Sequence, residues 1–413
     1  MATNAFILGG VRTPVGRYGG SLSHLRTDDL LGQTMVAACE RVGVPLDRID
    51  DIAAGCVNPA HEGMGDIARW AALSAGFPDS VPAVTVNRFC ASSLSCAIQT
   101  ANGIRSDEID VGIAGGVESM SRSGWAYMKG DAPFMPRGPI FMLDTMWAGA
   151  GGPPNPSLLA RNAYISMIET AQNVADKYGL SREEIDAFAL RSNLHAAAAR
   201  DSGRLAKEIH PVEIPGTRKQ PGFTFQDDEM IRGDTTAEAL AALPAQPNTT
   251  QMTAGNSSAL SDGASAVVMA SGEAAAELGI EPLARVVASA TYALDPQIMG
   301  IAPAYAMPKA LERAGLAPED IDVWEVHEAF AAQALGVLHE LPKQLNGFEV
   351  PDDRLNPNGG AVAIGHPFGS SGTRYVLTLA TELALRGARY GILGVCVGSG
   401  QGVALVLENP QAA

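Results

Sequence analysis

The chain has 413 residues, which at about 150 residues per domain predicts roughly two to three domains. Hydrophobic residues make up 46% and charged residues 18%, ample for a large core and incompatible with a disordered chain. With 29 basic against 45 acidic side chains the formal net charge is −16. That balance argues against general binding to nucleic acid or anionic membranes, and leaves room for one anionic ligand held by local arginines.

No stretch reaches the roughly 18 consecutive apolar residues of a membrane span. Met1 to Pro14 lacks a basic segment followed by an apolar run, and Asn409 to Ala413 carries no peroxisomal or prenylation signal. Five cysteines without a Cys-x-x-Cys pair suit a reducing compartment. The reading is a soluble cytoplasmic protein.

In chain order, the first amphipathic helix ends at Glu40-Arg41-Val42-Gly43 and leads through Ile49-Asp50 to an apolar strand, Ile52 to Cys56. An alternating strand then runs to Asn87, and small residues after Cys90 open a helix with apolar positions at Leu94, Ala97, Ile98, Ala101 and Ile104. A glycine-bearing strand, Val111 to Gly115, follows. Asp131 to Pro156 is rich in Pro, Gly and Met, Asp186 to Arg204 is Ala-rich and helical, and Pro211 to Pro247 is polar and loop-like. A strand at Ala264 to Ala270 completes the first half.

The pattern then recurs. Glu312-Arg313-Ala314-Gly315 repeats Glu40-Arg41-Val42-Gly43, and the same shift carries Ile49-Asp50 onto Ile321-Asp322 before a strand at Val323 to Val326. Phe368-Gly369-Ser370-Ser371 resembles Cys90-Ala91-Ser92-Ser93, and Tyr390 to Gly394 resembles Val111 to Gly115. Two related halves are predicted: 1–123 completed by 251–272, and 273–413, with 124–250 inserted as a loop domain. Alternating strands and helices predict right-handed crossovers and mostly parallel, buried sheets.

The chemistry concentrates at the same place in each half. Cys90 falls at a strand-to-helix turn, where unpaired N–H groups and the helix dipole favour a thiolate. Lowering its pKa from about 8.5 to about 7 would take roughly 2 kcal/mol. The alternative is a small buried cysteine, which is the reading for Cys39, Cys56 and Cys96. His366, between Gly365 and Pro367, lies on a turn equivalent to the one carrying Cys90, where an imidazole can take a thiol proton. Cys396 ends a strand ahead of Gly398, Gly400 and Gly402, whose backbone can approach a ligand closely and offer N–H groups to an oxyanion. His327 follows the strand Val323 to Val326 and is either a core histidine or a group at the same sheet edge. No spacing matches a zinc site.

Arg12-Thr13-Pro14, Asn87 to Ser93, Ala114 to Ser121, Thr253 to Asn256, Asp262-Gly263-Ala264, His327-Glu328-Ala329-Phe330, Gly365-His366-Pro367 and Cys396-Val397-Gly398 stand in that order. Together they resemble the thiolase family, over about Phe6 to Glu408. The resemblance implies a five-layered α-β-α-β-α fold of two similar halves with an inserted, CoA-binding loop domain. It also implies reversible cleavage of a 3-oxoacyl-CoA by coenzyme A, a co-substrate, with no permanently bound cofactor, in fatty-acid metabolism such as β-oxidation.

In that scheme Cys90 is the nucleophile, His366 its base and Cys396 the acid/base for the enolate and the incoming thiol. His366 and a water held by His327 form one oxyanion hole, and the N–H groups of Cys90 and Gly398 form the other. Arg232 corresponds to an arginine against the CoA nucleotide and Ser258 to a serine at the pantetheine. Met167, Ala254, Met299, Ala329 and Phe330 correspond to pocket-lining positions. Ser166 and Gln246 depart from the family's histidine and aromatic at the CoA site. The resemblance further implies a homodimer or homotetramer, and His327, a feature of the fatty-acid oxidation complex type, points to a multienzyme partner. A decarboxylating ketosynthase of the same superfold and a non-catalytic acyl-CoA-binding partner subunit are the rival readings. Cys396 opposes the first, because decarboxylation needs no proton-transferring thiol.

Overall fold

The computed structural model describes residues 3–58, 61–127, 142–146, 155–218 and 221–412. Most of the Pro-, Gly- and Met-rich stretch beginning at Asp131 lies outside them. The first half comprises β1 (Ala5–Arg12), α1 (Thr27–Val42), β2 (Asp51–Gly55), α2 (Ile67–Ser74), β3 (Ala83–Val86), α3 (Ser92–Arg105) and β4 (Val111–Ser119). Two longer helices follow in the inserted region, α4 (Met167–Tyr178) and α5 (Arg182–Asp201), then β5 (Ser261–Ser271). The second half comprises β6 (Ala284–Ala293), α6 (Pro303–Ala314), β7 (Val323–Val326), α7 (Ala331–Gln344), α8 (Phe368–Arg386), β8 (Tyr390–Val397) and β9 (Gln401–Glu408).

The repeated residues do the same work twice. Gly43 and Gly315 end α1 and α6 in the left-handed conformation, at φ 79° and 68°, where a side chain would be strained. Asp50 accepts the N–H groups of Asp110 and Val111 at 2.8 Å each. Asp322 likewise accepts those of Arg389 and Tyr390, at 2.8 and 3.1 Å. In both halves one carboxylate thus pins the start of the long strand that leads to the site.

The strands run in the order β7-β8-β9-β6-β1-β5-β4-β2-β3, and the two halves join through Phe6↔Arg285 and Ile7↔Ala284. The expectation of mostly parallel sheets is corrected. Three of these pairings are parallel (β2 with β3, β2 with β4, β7 with β8) and five are antiparallel. The long inserted region between β4 and β5 lets β5 return beside β4 in the opposite sense. A tight turn does the same for β8 and β9, with Ser399 at φ 63° and Gly400 at φ 84°, as the twist of a hairpin demands.

Helices α1 and α2 cover the outer face of the first sheet, and α6, with α7 packed beside it, that of the second. Helices α3 and α8 pack on each other between the sheets, completing five layers. Their approach is close: a Cβ on Gly372 would collide with the backbone of Leu94. The apolar side chains accordingly divide into an outer core in each half and a central one holding Cys90, Leu94, Tyr375 and Val395. Helices α4 and α5 lie against α7 on the second half, while Val212 and Phe225 of the same inserted region join the core of the first. No helix among the described residues is long and apolar enough to cross a membrane.

Candidate active site

Cys90 sits between β3 and α3, in a turn tight enough to force Phe89 to φ 45°, a costly value for an aromatic residue. The turn buries the sulfur just ahead of α3. Its own backbone N–H and that of Gly398 reach the sulfur. The expected depressed pKa is not what results. Burial outweighs both donors and, with Glu118 nearby, pushes the thiol up to about 12. The resting nucleophile is therefore a thiol, and a base must remove its proton as it attacks.

His366 lies between a single helical turn, Ala361–Ile364, and α8. Its backbone N–H donates to Ser261 Oγ at 2.9 Å, and its Nδ1 lies 2.7 Å from Ser371 Oγ. The Ser371 hydroxyl spends its one proton on Pro367 O at 2.9 Å, so it accepts from Nδ1–H. Nε2 is left as a lone pair, buried and without a partner among the described residues. Burial, then the positive charge of Arg374, lower this histidine to about 3. It is a neutral imidazole with its basic nitrogen free.

Cys396 ends β8, with the hairpin turn carrying Gly398 just beyond it. Its sulfur lies 3.3 Å from His327 Nδ1, and burial and the neighbouring Cys90 raise its pKa well above the ordinary value. His327 follows β7, its ring 4.3 Å from that of His366 and 5.5 Å from that of Tyr375. Burial, His366 and Arg374 all disfavour its charged form, and its Nε2 also lacks a partner. Two thiols, two neutral imidazoles and the Gly398 N–H thus meet where the ends of β3, β7 and β8 converge between the halves.

The pocket residues divide into two sets. Met167 at the start of α4 lies near Gly398, as does Phe89, and Met299, Ala329, Phe330 and Cys396 share one apolar cluster. The Ser258 N–H donates to Ala329 O at 3.0 Å, which brings the segment after Asn256 against the site. Ala254 and Arg232 are exposed. The Arg232 backbone N–H is tied to Asn193 Oδ1 at 3.2 Å, and its side chain is free to meet an anion at the surface. Ser166 caps α4, accepting the N–H of Glu169, and the N–H of Gln246 donates to Met252 O at 2.8 Å. Among the described residues no cluster of His, Cys, Asp and Glu could hold a metal ion.

Several supporting residues escaped the sequence reading. Ser371 sits in the repeated Ser-Ser pair, but nothing in that pattern shows that it fixes a tautomer. Glu118 accepts three backbone N–H groups, from Val57 at 3.0 Å, Asn58 at 2.9 Å and Gly369 at 2.8 Å. It thereby ties the first sheet to the start of α8. Glu328, buried beside His327, accepts Ser192 Oγ at 2.5 Å and Asn356 Nδ2 at 2.7 Å, anchoring the segment that leads to His366. Asn356 also pairs with both the N–H and the C=O of Val326, and with the Trp324–Leu355 backbone bridge this segment lines the outer edge of β7.

Comparison with known proteins agrees over the whole length. Residues 5–273 match the model of the thiolase N-terminal domain and residues 280–409 that of the thiolase C-terminal domain. The chain is 44% identical to 3-oxoadipyl-CoA/3-oxo-5,6-dehydrosuberyl-CoA thiolase of Escherichia coli K12, covering 98% of this chain and 99% of that protein. It is 40% identical to an acetyl-CoA acetyltransferase of Syntrophomonas wolfei, over 99% and 100%. Among solved structures, an acetyl-CoA acetyltransferase from Syntrophomonas wolfei superposes with a TM-score of 0.91 at 34% identity, covering 99% of this chain and 100% of that one. Human mitochondrial 3-ketoacyl-CoA thiolase in complex with CoA gives 0.88 at 35%, over 98% of both chains. With both halves, their order and their full extent matched, the chain belongs to the thiolase family and is an acyltransferase.

Proposed function

We propose that the chain cleaves a short 3-oxoacyl-CoA with coenzyme A through an acyl-Cys90 intermediate, and runs the reverse condensation when metabolite levels favour it. Cys90 attacks the 3-oxo carbon while His366 Nε2 takes its proton. The carbon–carbon bond breaks, leaving the acyl group on Cys90 and an acetyl-CoA enolate, to which Cys396 gives its proton. The Cys396 thiolate then deprotonates a second CoA, whose sulfur takes the acyl group, and Cys90 leaves as a thiolate that recovers its proton from His366. Charge on the tetrahedral oxyanion meets the N–H groups of Cys90 and Gly398. Charge on the enolate oxygen meets His366 and a water on His327. Arg232 holds the nucleotide end of CoA and Ser258 the pantetheine, with Met167, Ala254, Met299, Ala329 and Phe330 lining the pocket.

The observation that carries this reading is the free Nε2 of His366 on a ring packed against His327, which touches the Cys396 sulfur next to Cys90 and its Gly398 N–H. The relatives named for 3-oxoadipyl-CoA support a short acyl chain ending in a carboxylate over a long fatty acyl chain of β-oxidation. The half-exposed edge strand β3, whose outer side needs a partner, supports a homodimer or homotetramer. Five free cysteines support a reducing, cytoplasmic setting.

The test is turnover of purified protein with CoA and a panel from acetoacetyl-CoA through 3-oxoadipyl-CoA to long-chain 3-oxoacyl-CoA. The proposal requires cleavage, with the highest kcat/KM on the short dicarboxylic substrate. Release of carbon dioxide from malonyl thioesters without thiolysis would replace it with a ketosynthase reading.

A further inference from the structure

We propose that His327 donates through Nδ1–H to the Cys396 sulfur and holds it as a thiolate between its two proton transfers. This rests on the thiolase reading and assigns His327 a task besides holding a water. The contact is direct: Nδ1 and Sγ are 3.3 Å apart, within range for a bond to sulfur. The Cys396 thiolate has little else to rely on. Its own backbone N–H and that of Ala329 reach the sulfur, yet the Ala329 N–H is already committed to Gln333 Oε1 at 3.0 Å. A buried anion held only by its own N–H and one shared donor is costly, whereas a hydrogen bond from a neutral ring to a full charge is among the stronger kinds.

The tautomer follows from the chemistry. If Nδ1 were a lone pair, Cys396 would donate its S–H there, aimed away from the enolate carbon. After losing that proton to carbon, the sulfur anion would face the lone pair. With Nδ1–H the S–H is free to point at the substrate, and the anion that remains meets a donor. Nε2 is then an acceptor, which suits a water whose own hydrogens turn to the enolate oxygen.

In the first transfer the S–H bond of Cys396 breaks, a C–H bond forms on the enolate, and the S–H electron pair stays on sulfur. In the second, the S–H bond of CoA breaks and its proton joins that pair, while the CoA sulfur attacks the acyl carbon on Cys90. His327 gains and loses no proton in either. The groups facing its ring are Cys396 from β8, His366 from the turn before α8, and Tyr375 and Arg374 from α8 itself. Glu325 lies two residues back on β7 with both oxygens buried and unpartnered, and Glu328 is engaged by Ser192 and Asn356. Among the described residues no carboxylate hydrogen-bonds to the ring to make it an imidazolium.

The experiment is alkylation of Cys396 by iodoacetamide in a Cys90→Ala background, followed by peptide mass spectrometry from pH 6.5 to 10. His327→Phe keeps the ring's bulk and removes both nitrogens. His327→Asn is a second, smaller variant should the first not fold. Each should slow Cys396 alkylation at least tenfold at every pH below the thiol's midpoint, because the reagent reads the thiolate fraction. Cys90 alkylation in a Cys396→Ala background should change by less than twofold, showing that access to the cavity is intact. An unchanged Cys396 rate in a folded variant, or equal slowing at both cysteines, would overturn the proposal. Thiolysis by the wild-type protein is read separately, so a failed donor role leaves the thiolase reading standing, and an inactive wild type does the reverse.

Discussion

At the scale of single residues, the site works because burial keeps every group neutral until substrate arrives. His366 can act as a base only if its proton sits on Nδ1, and Ser371 arranges that by spending its own proton on Pro367 O. Ser371→Ala should therefore lower kcat by roughly 10²-fold, the low end of what general acid–base catalysis contributes, with little change in KM. A comparable loss in KM instead would place Ser371 in substrate binding. Burial also holds His366 at about 3 and His327 below its ordinary value, whereas both protonate near pH 6.5 in the unfolded chain. Between those limits the unfolded state binds more protons, so folding stability falls as pH drops below about 6.5. Melting temperatures between pH 7 and 5 should show this decline, and His327→Asn should make it shallower. An identical slope in the variant would mean that His327 is not held neutral.

At the scale of elements, the site depends on how strand ends and helix starts are tied together. Glu118 gathers N–H groups from the segment after β2 and from the start of α8, and a glutamine in its place must turn an NH2 toward at least one of them. Glu118→Gln should cost about 1–3 kcal/mol, measured by urea unfolding, and a neutral result would show that the three bonds carry no net stability. These ties mark the limit of what could be read from residues alone. The strands at Val323 to Val326 and Tyr390, the glycine-stopped helices and the turns bearing Cys90 and His366 were legible, because periodicity and Gly/Pro punctuation are local signals. Strand direction was not. Whether β5 returns parallel or antiparallel to β4 depends on an insertion whose path has no local signature. The roles of Glu118, Glu328 and Asn356 were hidden for the same reason, since their partners lie farther along the chain, and Ser371 was hidden although it is five residues from His366, because a fixed tautomer leaves no mark in a residue pattern.

At the scale of the whole molecule, a buried ionic chain joins the first half, the inserted region and the second half. Arg12 at the end of β1 bonds Glu208 at 2.8 Å and Asp228 at 2.7 and 2.9 Å. Arg204 links the same Glu208, at 3.1 Å, to Glu382 of α8, at 2.8 Å. Arg12 was legible as part of a motif, but its partners were not, being contributed by the least regular stretch of the sequence. Arg12→Met strips buried Asp228 of its guanidinium and leaves Glu208 with Arg204 alone, and should destabilise the fold by about 3–5 kcal/mol. A loss below 1 kcal/mol would show that the network is solvated rather than structural. The resulting frame ties β1, the inserted region and α8 to one another.

The account stands on Cys90 as the residue that carries the acyl group. Rapid quenching of the enzyme with acetyl-CoA in the absence of free CoA, followed by peptide mass spectrometry, reads this directly. The account predicts an acetyl group on the peptide containing Cys90, lost when CoA is added and absent in Cys90→Ala. An acetyl group on Cys396 instead, or turnover that survives in Cys90→Ala, would contradict it.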